Sequence, residues 1–359
     1  MDCKLIAVIY LDHNATTPIL PEVLEAMMPY LTTEWGNPSS SYKFGSKLKA
    51  VIETAREQVA ELIGAPSRDV IFTSCATESN NAAIAAALKA NPTKRHIVTS
   101  QVEHSSVLNY CMALERGDFT PPPVARVSPP ASENETAGGD TRATNSALVT
   151  PGYRVTYLPV DREGLLNLAD LEAAITDETA VVSLMWANNE TGVLFPVERI
   201  AEICRSRGVL YHCDAVQAAG KVEIDVRNVP ADYLSLTGRK FHAPKGIGAL
   251  YVRRKSPFSP LVYGGHQERN RRGGTESVPL IVGIGKAAEL ARKHLPNYEK
   301  KVRPLRDALE KGILSSIPNS ERGLDVIHKR QRQFSFDGAC DEHFTNGVGE
   351  LESDWFSVA

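Results

Sequence analysis

The feature that most constrains this chain is the alternation of short, β-branched or apolar runs with longer segments that carry apolar residues near helical spacing. The runs with the length of strands are residues 70–72, 96–99, 155–158, 180–184, 209–212 and 233–236. Helix-like segments are 51–63, 79–90, 105–115, 168–175 and 197–205. This order predicts an α/β domain with a mostly parallel sheet covered on both faces, and ligands at the carboxyl ends of its strands.

Two segments depart from that alternation. Residues 118–151 are rich in Pro, Ser, Thr and Ala and predict a surface insertion within the domain, because such a segment cannot bury much apolar area. From about Glu276 to about Ile313 a long helical pattern follows, which is typical of a helix that connects to a smaller terminal domain.

Composition argues against several classes of protein. The 359 residues include 40 Lys and Arg against 43 Asp and Glu, a net charge of −3 that indicates neither nucleic acid nor a membrane surface as partner. The longest apolar run, 82–88, is far short of the ~20 residues of a spanning helix, and the first four residues lack the order of a signal peptide. Six cysteines without C-x-x-C spacing fit reduced thiols and no structural metal. We therefore expect a cytoplasmic protein.

Polar clusters follow the predicted strands, whereas the usual dinucleotide, P-loop, zinc-protease and hydrolase motifs are missing from the sequence. The clusters are residues 73–81, 102–106, 186–192, 212–217 and 236–246. Each cluster alone is weak evidence for a binding site. The first could be a plain capping turn, and a lone Lys, His or Asp is usually a solvated or capping residue. In order, however, they supply a phosphate cradle, a ring partner, hydrogen-bond donors, a carboxylate and a lysine. That combination describes a site for pyridoxal phosphate (PLP).

At these residues the chain resembles a known family, the NifS-type cysteine desulfurases, which are fold-type I PLP enzymes. The segments that carry the resemblance are 11–18, 36–40, 72–81, 102–104, 185–192, 214–217, 242–246 and 264–269, and the nitrogen-fixation branch is the most similar. The resemblance runs from about Tyr10 to Phe336, apart from the insertion. It implies a large domain with a mostly parallel seven-stranded sheet, and a smaller α+β domain.

The same resemblance implies an activity and partners. The chain would remove sulfur from L-cysteine, giving L-alanine and an enzyme persulfide for iron–sulfur and nitrogenase cluster assembly. It would act as a homodimer that passes sulfur to an iron–sulfur scaffold protein. Residues 1–275 would form the large PLP-binding domain with the N-terminal segment of the small domain, and 276–359 the connecting helix and an incomplete small domain.

The resemblance also implies roles for individual residues. Lys240 matches the lysine that carries the cofactor aldehyde and moves the Cα proton, Asp214 would pair with the pyridinium nitrogen, and His104 would stack on the ring and act as acid or base. Asn189 and Gln217 would contact the ring substituents. The phosphate would be held by Ala76, Thr77, Thr237 and Arg239, with Thr275 contributed by the partner subunit.

The chain departs from the family pattern at three places. Arg239 stands where a His is usual, and a guanidinium can also bind phosphate; Asn270 replaces a usual Gly. Beyond Phe336 only 359 − 336 = 23 residues remain, without the Ser/Gly-rich loop that bears the acceptor cysteine, and Cys340 comes too soon after that strand. We therefore expect cofactor binding but little persulfide from the chain as written. A catalytically impaired PLP-binding protein and a selenocysteine or β-eliminating lyase stay open as alternatives.

Overall fold

The computed structural model describes residues 10–118 and 152–316, and its centre is a seven-stranded sheet. The strands are β1 (Val70–Thr73), β2 (His96–Ser100), β3 (Arg154–Leu158), β4 (Thr179–Met185), β5 (Leu210–Asp214), β6 (Tyr233–Thr237) and β7 (Gly248–Val252). Their spatial order is β1-β7-β6-β5-β4-β2-β3. Strands β2 to β6 pair in parallel, and β7 is antiparallel to both of its neighbours. The predicted mostly parallel, seven-stranded α/β fold is confirmed.

Helices cover both faces of this sheet. They are α1 (Pro21–Thr32), α2 (Lys43–Ser46), α3 (Leu48–Leu62), α4 (Ala76–Ala90), α5 (Ser105–Arg116), α6 (Leu168–Ala174), α7 (Val197–Ser206), α8 (Gln267–Asn270) and α9 (Val278–Ser316). Val70 and Phe72 pack into one apolar cluster with residues of α1, α3, α7 and α9, whereas Ile71 packs into a second with α4 and α5. Because successive side chains of a strand point to opposite faces, the two clusters form the two cores of an α/β/α sandwich. No helix among the described residues is both long and apolar enough to cross a membrane.

All the strands except the edge strand β3 are largely buried on both faces, which explains why their sequences read as continuous apolar runs. All seven residues of β4 are buried, as are all five of β2, β6 and β7. All six strands predicted from the sequence are present, and the long helix predicted over 276–313 is α9.

Four elements were not predicted, β7, α1, α2 and α8, and α4 begins three residues earlier than expected. Strand β7 opens with Gly248, which reads as a turn signal, but here the glycine allows close packing. A Cβ at Gly248 would lie 2.7 Å from the carbonyl carbon of Cys75 and 2.8 Å from Thr73 Oγ1. The glycine thus lets β7 approach the turn that leads into α4. The insertion at 118–151 falls almost wholly outside the described residues, so its predicted surface position stays a prediction, as does the division at residue 275.

Candidate active site

The residues predicted to bind the cofactor come together along one edge of the sheet. Asp214 is the last residue of β5, and Lys240 ends the short 3-10 turn Gly238–Lys240 that follows β6. His104 precedes α5, just beyond the end of β2, and Asn189 lies in the loop after β4. Since β2, β4, β5 and β6 are parallel, their carboxyl ends meet at this edge, as expected for an α/β sheet.

Lys240 is a buried amine, 7% exposed. Its Nζ donates hydrogen bonds to the carbonyl oxygens of Asn14 and Ala15, the second at 3.0 Å. Burial, with the neighbouring charges of Arg239 and Lys221, lowers the pKa of Lys240 to about 8. An amine with such a pKa is partly uncharged near neutral pH and can act as a nucleophile or a base.

Asp214 is a buried carboxylate held by neutral donors. Its Oδ1 accepts a hydrogen bond from the backbone N–H of Val216 at 3.0 Å, and its Oδ2 accepts one from Asn80 Nδ2 at 2.8 Å. Burial raises the pKa of this carboxyl group, and its hydrogen bonds oppose that rise. No Lys or Arg nitrogen in the described part of the chain lies within ion-pair distance. The negative charge of Asp214 could therefore form an ion pair with a cationic group of a ligand, such as a protonated ring nitrogen.

His104 is fixed by the helix that it caps. As N-cap of α5, its Nδ1 accepts hydrogen bonds from the backbone N–H of Ser106 at 3.1 Å and pairs with Ser106 Oγ at 2.8 Å. Burial is the largest cause of a lowered pKa at His104. The imidazole is accordingly a neutral group whose Nε2 takes no part in capping the helix.

Gln217 belongs to a group that includes two residues sequence reasoning missed, Asn14 and Lys221. Gln217 Nε2 donates to the carbonyl oxygen of Asn14 at 3.0 Å, and Lys221 Nζ donates to Gln217 Oε1 at 2.8 Å and to Asn14 Oδ1 at 2.9 Å. Burial lowers the pKa of Lys221 to about 8. Asn14 lies inside the 11–18 motif, so the sequence could have indicated it as a site residue. For Lys221 the only indication in the sequence is its position four residues after Gln217.

The two asparagines after β4 differ in role. Asn188 is buried, its Nδ2 donates to the carbonyl oxygen of Val102 at 3.0 Å, and its Oδ1 accepts from the backbone N–H groups of Glu190 and Thr191. Asn189 is half-buried and donates only to the neighbouring Glu190 carboxylate, at 2.8 Å. The first asparagine shapes the loop, whereas the side chain of the second is partly exposed.

The predicted phosphate residues lie where three elements meet. Helix α4 begins at Ala76 without a side-chain cap, so the first-turn N–H groups, including that of Thr77, are suited to an anion. Thr237 is buried and its Oγ1 donates to the carbonyl oxygen of Ile247 at 3.1 Å. Arg239 is half-buried and its Nη1 donates to the carbonyl oxygen of Ala15. The structure thus places both of these side chains on backbone carbonyls.

Thr275, predicted to act in the partner subunit, is exposed at the end of an unusual loop. This loop includes α8, which is not a regular right-handed helix. Three of its four residues, Glu268, Arg269 and Asn270, have φ values of 49°, 58° and 64°. Asn tolerates this left-handed conformation better than most residues, which explains how it can replace the usual glycine. A buried ion pair anchors the loop, because Glu268 accepts hydrogen bonds from Arg56 at 2.6 and 2.9 Å and from the backbone N–H of Phe72 at 3.0 Å.

Three of the four described cysteines are poor candidates for a reactive thiolate. Cys111, Cys204 and Cys213 are buried, and burial raises the pKa of the first two to about 12 and that of the third still further. Cys75 is half-buried at the N-cap of α4. Cys3 and Cys340 lie outside the described residues.

Comparison with known proteins agrees with this geometry. The class-V aminotransferase family matches residues 9–120 and 142–340, and the chain belongs to that family. Among its relatives is a cysteine desulfurase of Trichormus azollae, 50% identical over 323 residues, which are 90% of this chain and 72% of the relative. The cysteine desulfurase NifS of Azotobacter vinelandii is 44% identical over 87% of this chain and 69% of its own length. The resemblance to the NifS-type enzymes is thereby confirmed.

Solved structures show the same likeness. A NifS-like protein has a TM-score of 0.74 at 35% identity, covering 86% of this chain and 76% of that one. SspA, solved in complex with cysteine, has a TM-score of 0.70 at 35% identity over 85% of this chain and 78% of its own. The fold-type I architecture expected from the sequence is confirmed by both.

Proposed function

We propose that this protein is a PLP-dependent cysteine desulfurase, which converts L-cysteine to L-alanine and leaves the sulfur as a persulfide on a thiol. The observation that carries the proposal is the pairing at one sheet edge of a buried lysine whose pKa is about 8 with a buried aspartate that has no cationic partner among the described residues. Bound PLP supplies an aldehyde that condenses with amines and a ring that withdraws electrons from the substrate Cα. The 50% identity to a cysteine desulfurase supports the choice of substrate and reaction.

Three residues of this chain would have separate roles in the reaction. Lys240 provides the amine that holds the cofactor and afterwards moves the Cα proton, because its lowered pKa leaves a fraction uncharged. Asp214 keeps a proton on the ring nitrogen through its negative charge. His104 would stack on the ring and act as acid or base, and its Nδ1 accepts a hydrogen bond from the backbone N–H of Ser106.

The remaining predicted residues orient the cofactor. Asn189 and Gln217 contact the ring substituents, and the first turn of α4 at Ala76 and Thr77 receives the phosphate. Thr237 and Arg239 lie beside that position, and Thr275 completes it from the partner subunit of a homodimer. The protein acts in the cytoplasm and passes sulfur to an iron–sulfur scaffold protein, in the setting of cluster assembly for nitrogen fixation.

The test compares two lysines of the same loop. Lys240→Ala should lose the PLP adduct that borohydride traps, and alanine formation from L-cysteine should fall by about 10³-fold or more. Lys245→Ala is the matched control, because Lys245 is exposed five residues further along. Alanine, sulfide and trapped cofactor are measured on the PLP-loaded proteins. A trapped adduct that survives in Lys240→Ala, or a loaded parent protein that makes no alanine from cysteine even when an external thiol is added to accept the sulfur, would overturn the proposal.

A further inference from the structure

A chain of short hydrogen bonds joins the carboxylate of Asp214 to the imidazole of His104. Asn80, fully buried in α4, donates one Nδ2 hydrogen to Asp214 Oδ2 at 2.8 Å and the other to Ser106 Oγ at 2.8 Å. Ser106 Oγ in turn lies 2.8 Å from His104 Nδ1. Four residues from three separate segments thus form one continuous path within the site.

The direction of each hydrogen bond in this path follows from chemistry. Reversing the Asn80 amide would set its Oδ1 against the Asp214 carboxylate, with two acceptors facing each other, so Nδ2 must be the group between Asp214 and Ser106. Ser106 Oγ then accepts from Asn80, and its own hydrogen is directed to His104 Nδ1. The Asn80 Oδ1 atom is left buried without a partner, a cost that the two donated bonds must outweigh.

His104 Nδ1 is therefore an acceptor on two counts. It receives the backbone N–H of Ser106, which can only donate, and the hydroxyl hydrogen of the same residue. A proton on Nδ1 would face the backbone N–H of Ser106, which cannot turn away, so the neutral imidazole carries its proton on Nε2. In this arrangement a hydroxyl and an amide define the tautomer, where a carboxylate would be the more familiar partner.

We propose that Asn80 and Ser106 are positioning residues that link Asp214 to His104 and keep Nδ1 unprotonated, so that Nε2 carries the proton of the neutral imidazole and is the hydrogen-bond donor that His104 offers. The inference deepens the proposed function and rests on it for the reaction that the histidine serves. The hydrogen-bond path itself, however, depends only on residues of this chain. It also links the group that holds charge on the ring nitrogen to the group that stacks on the ring.

The charges that face His104 come from three sides. Asp214 at the end of β5 and Glu190 in the loop after β4 act to raise its pKa, whereas Lys240 and Arg239 after β6 act to lower it, and burial lowers it most. Removal of the Ser106 hydroxyl leaves all four charged groups in place. A change in the titration of His104 in that variant therefore reports the lost hydrogen bond.

The experiment is nitrogen NMR of histidine-labelled, PLP-loaded protein across a pH range. In the parent, His104 should show an unprotonated Nδ1 and a protonated Nε2. Ser106→Ala keeps the backbone N–H but removes the hydroxyl donor, so the pKa of His104 should rise by about half a unit to one unit. Ser105→Ala is the matched control, since Ser105 is the exposed preceding residue of α5, and it should titrate as the parent does.

Asn80 is tested through a double-mutant cycle. Asn80→Ala should also raise the pKa of His104, but by less than Ser106→Ala does. The double variant Asn80→Ala/Ser106→Ala should have the same His104 pKa as Ser106→Ala alone, because both substitutions interrupt the same chain of hydrogen bonds. Asn80→Ser, which cannot serve both acceptors, replaces the alanine variant if that variant does not fold. A parent His104 protonated at Nδ1, an unshifted Ser106→Ala, or strictly additive shifts would each overturn the inference. Loss of alanine production by the parent would instead count against the proposed function, and the NMR result would still stand.

Discussion

The two sides of the candidate site carry charges of opposite sign, and each charge has neutral hydrogen-bond partners. On the Asp214 side, a carboxylate is held by the amide of Asn80 and a backbone N–H, without a cation at ion-pair distance among the described residues. On the Lys240 side, the buried amine of Lys240 and the half-buried amine of Lys221 are held by carbonyl and amide oxygens of Asn14, Ala15 and Gln217.

A carboxylate on one side and two amines on the other suit a ligand that has a cationic group at one end and a group that reacts with amines at the other. Burial is the largest cause of the raised pKa of Asp214 and of the lowered pKa of both lysines, and the hydrogen bonds of Asp214 to neutral donors oppose its rise without cancelling it. PLP has a protonatable ring nitrogen at one end and an electrophilic aldehyde on the ring, which suit an anion on one side and an amine on the other. Each of the following changes alters one side alone.

Among these changes, which leave Lys240 itself in place, the largest effect should come from the anionic side. Asp214→Asn keeps the shape and one acceptor but removes the negative charge, so the ring nitrogen would lose its proton and alanine formation should fall by roughly 10²-fold or more. Asp170→Asn, an exposed change in α6, is the control for a lost carboxylate. Steady-state rates with L-cysteine measure the effect. Turnover of Asp214→Asn at the parent rate would show that the carboxylate is not the ring partner.

A second buried acid on the same side predicts a pH-dependent stability. Burial raises the pKa of Glu103 from 4.5 to about 8; its Oε1 accepts from Ser100 Oγ and the backbone N–H of Met185, and its Oε2 is buried without a partner. Because the folded pKa is raised, the stability from the neutral acid is complete below pH 4.5 and is lost as pH rises through about 8.

Glu103→Gln should remove that loss, because the amide stays neutral at every pH. Its advantage over the parent in free energy of unfolding should grow by about 1.4 kcal/mol per pH unit between pH 4.5 and about 8 and level off above that range. Urea unfolding at pH 5, 7 and 9 measures the difference. A constant difference at all three pH values would show that Glu103 does not titrate in this window.

The smallest effect is expected on the cationic side. Lys221→Met removes one of the charges that lower the pKa of Lys240, so the pKa of Lys240 should rise by about half a unit. In a plot of reaction rate against pH, the limb that reflects the ionisation of Lys240 should move to higher pH by the same amount. Lys245→Met, an exposed charge removal nearby, controls for net charge. An unshifted limb in Lys221→Met would mean that its charge does not reach Lys240.

Most of the site was predictable from the sequence, because its residues occupy local positions that the fold imposes. Lys240 and Asp214 could be placed at strand ends, since the alternation of strand and helix reveals where parallel strands finish. The quoted segments also contained Asn14, Asn80 and Glu103, yet no role could be assigned to them. Their partners in space are distant in sequence, as with Asn80 and Asp214, which are 134 residues apart.

By itself, then, the sequence determined the α/β class, the six parallel or edge strands recognised by their apolar runs, and the order of the cofactor residues. Those features are local, since periodicity and turn chemistry depend on neighbours along the chain. Only the tertiary structure decided which neutral donor holds Asp214, that Lys221 lies beside Gln217 and Asn14, and that Arg56 anchors Glu268 in the left-handed loop. Each is a hydrogen bond or ion pair in which at least one partner comes from a remote segment. Its strength depends on burial that exists only once the sheet and its helices have packed together.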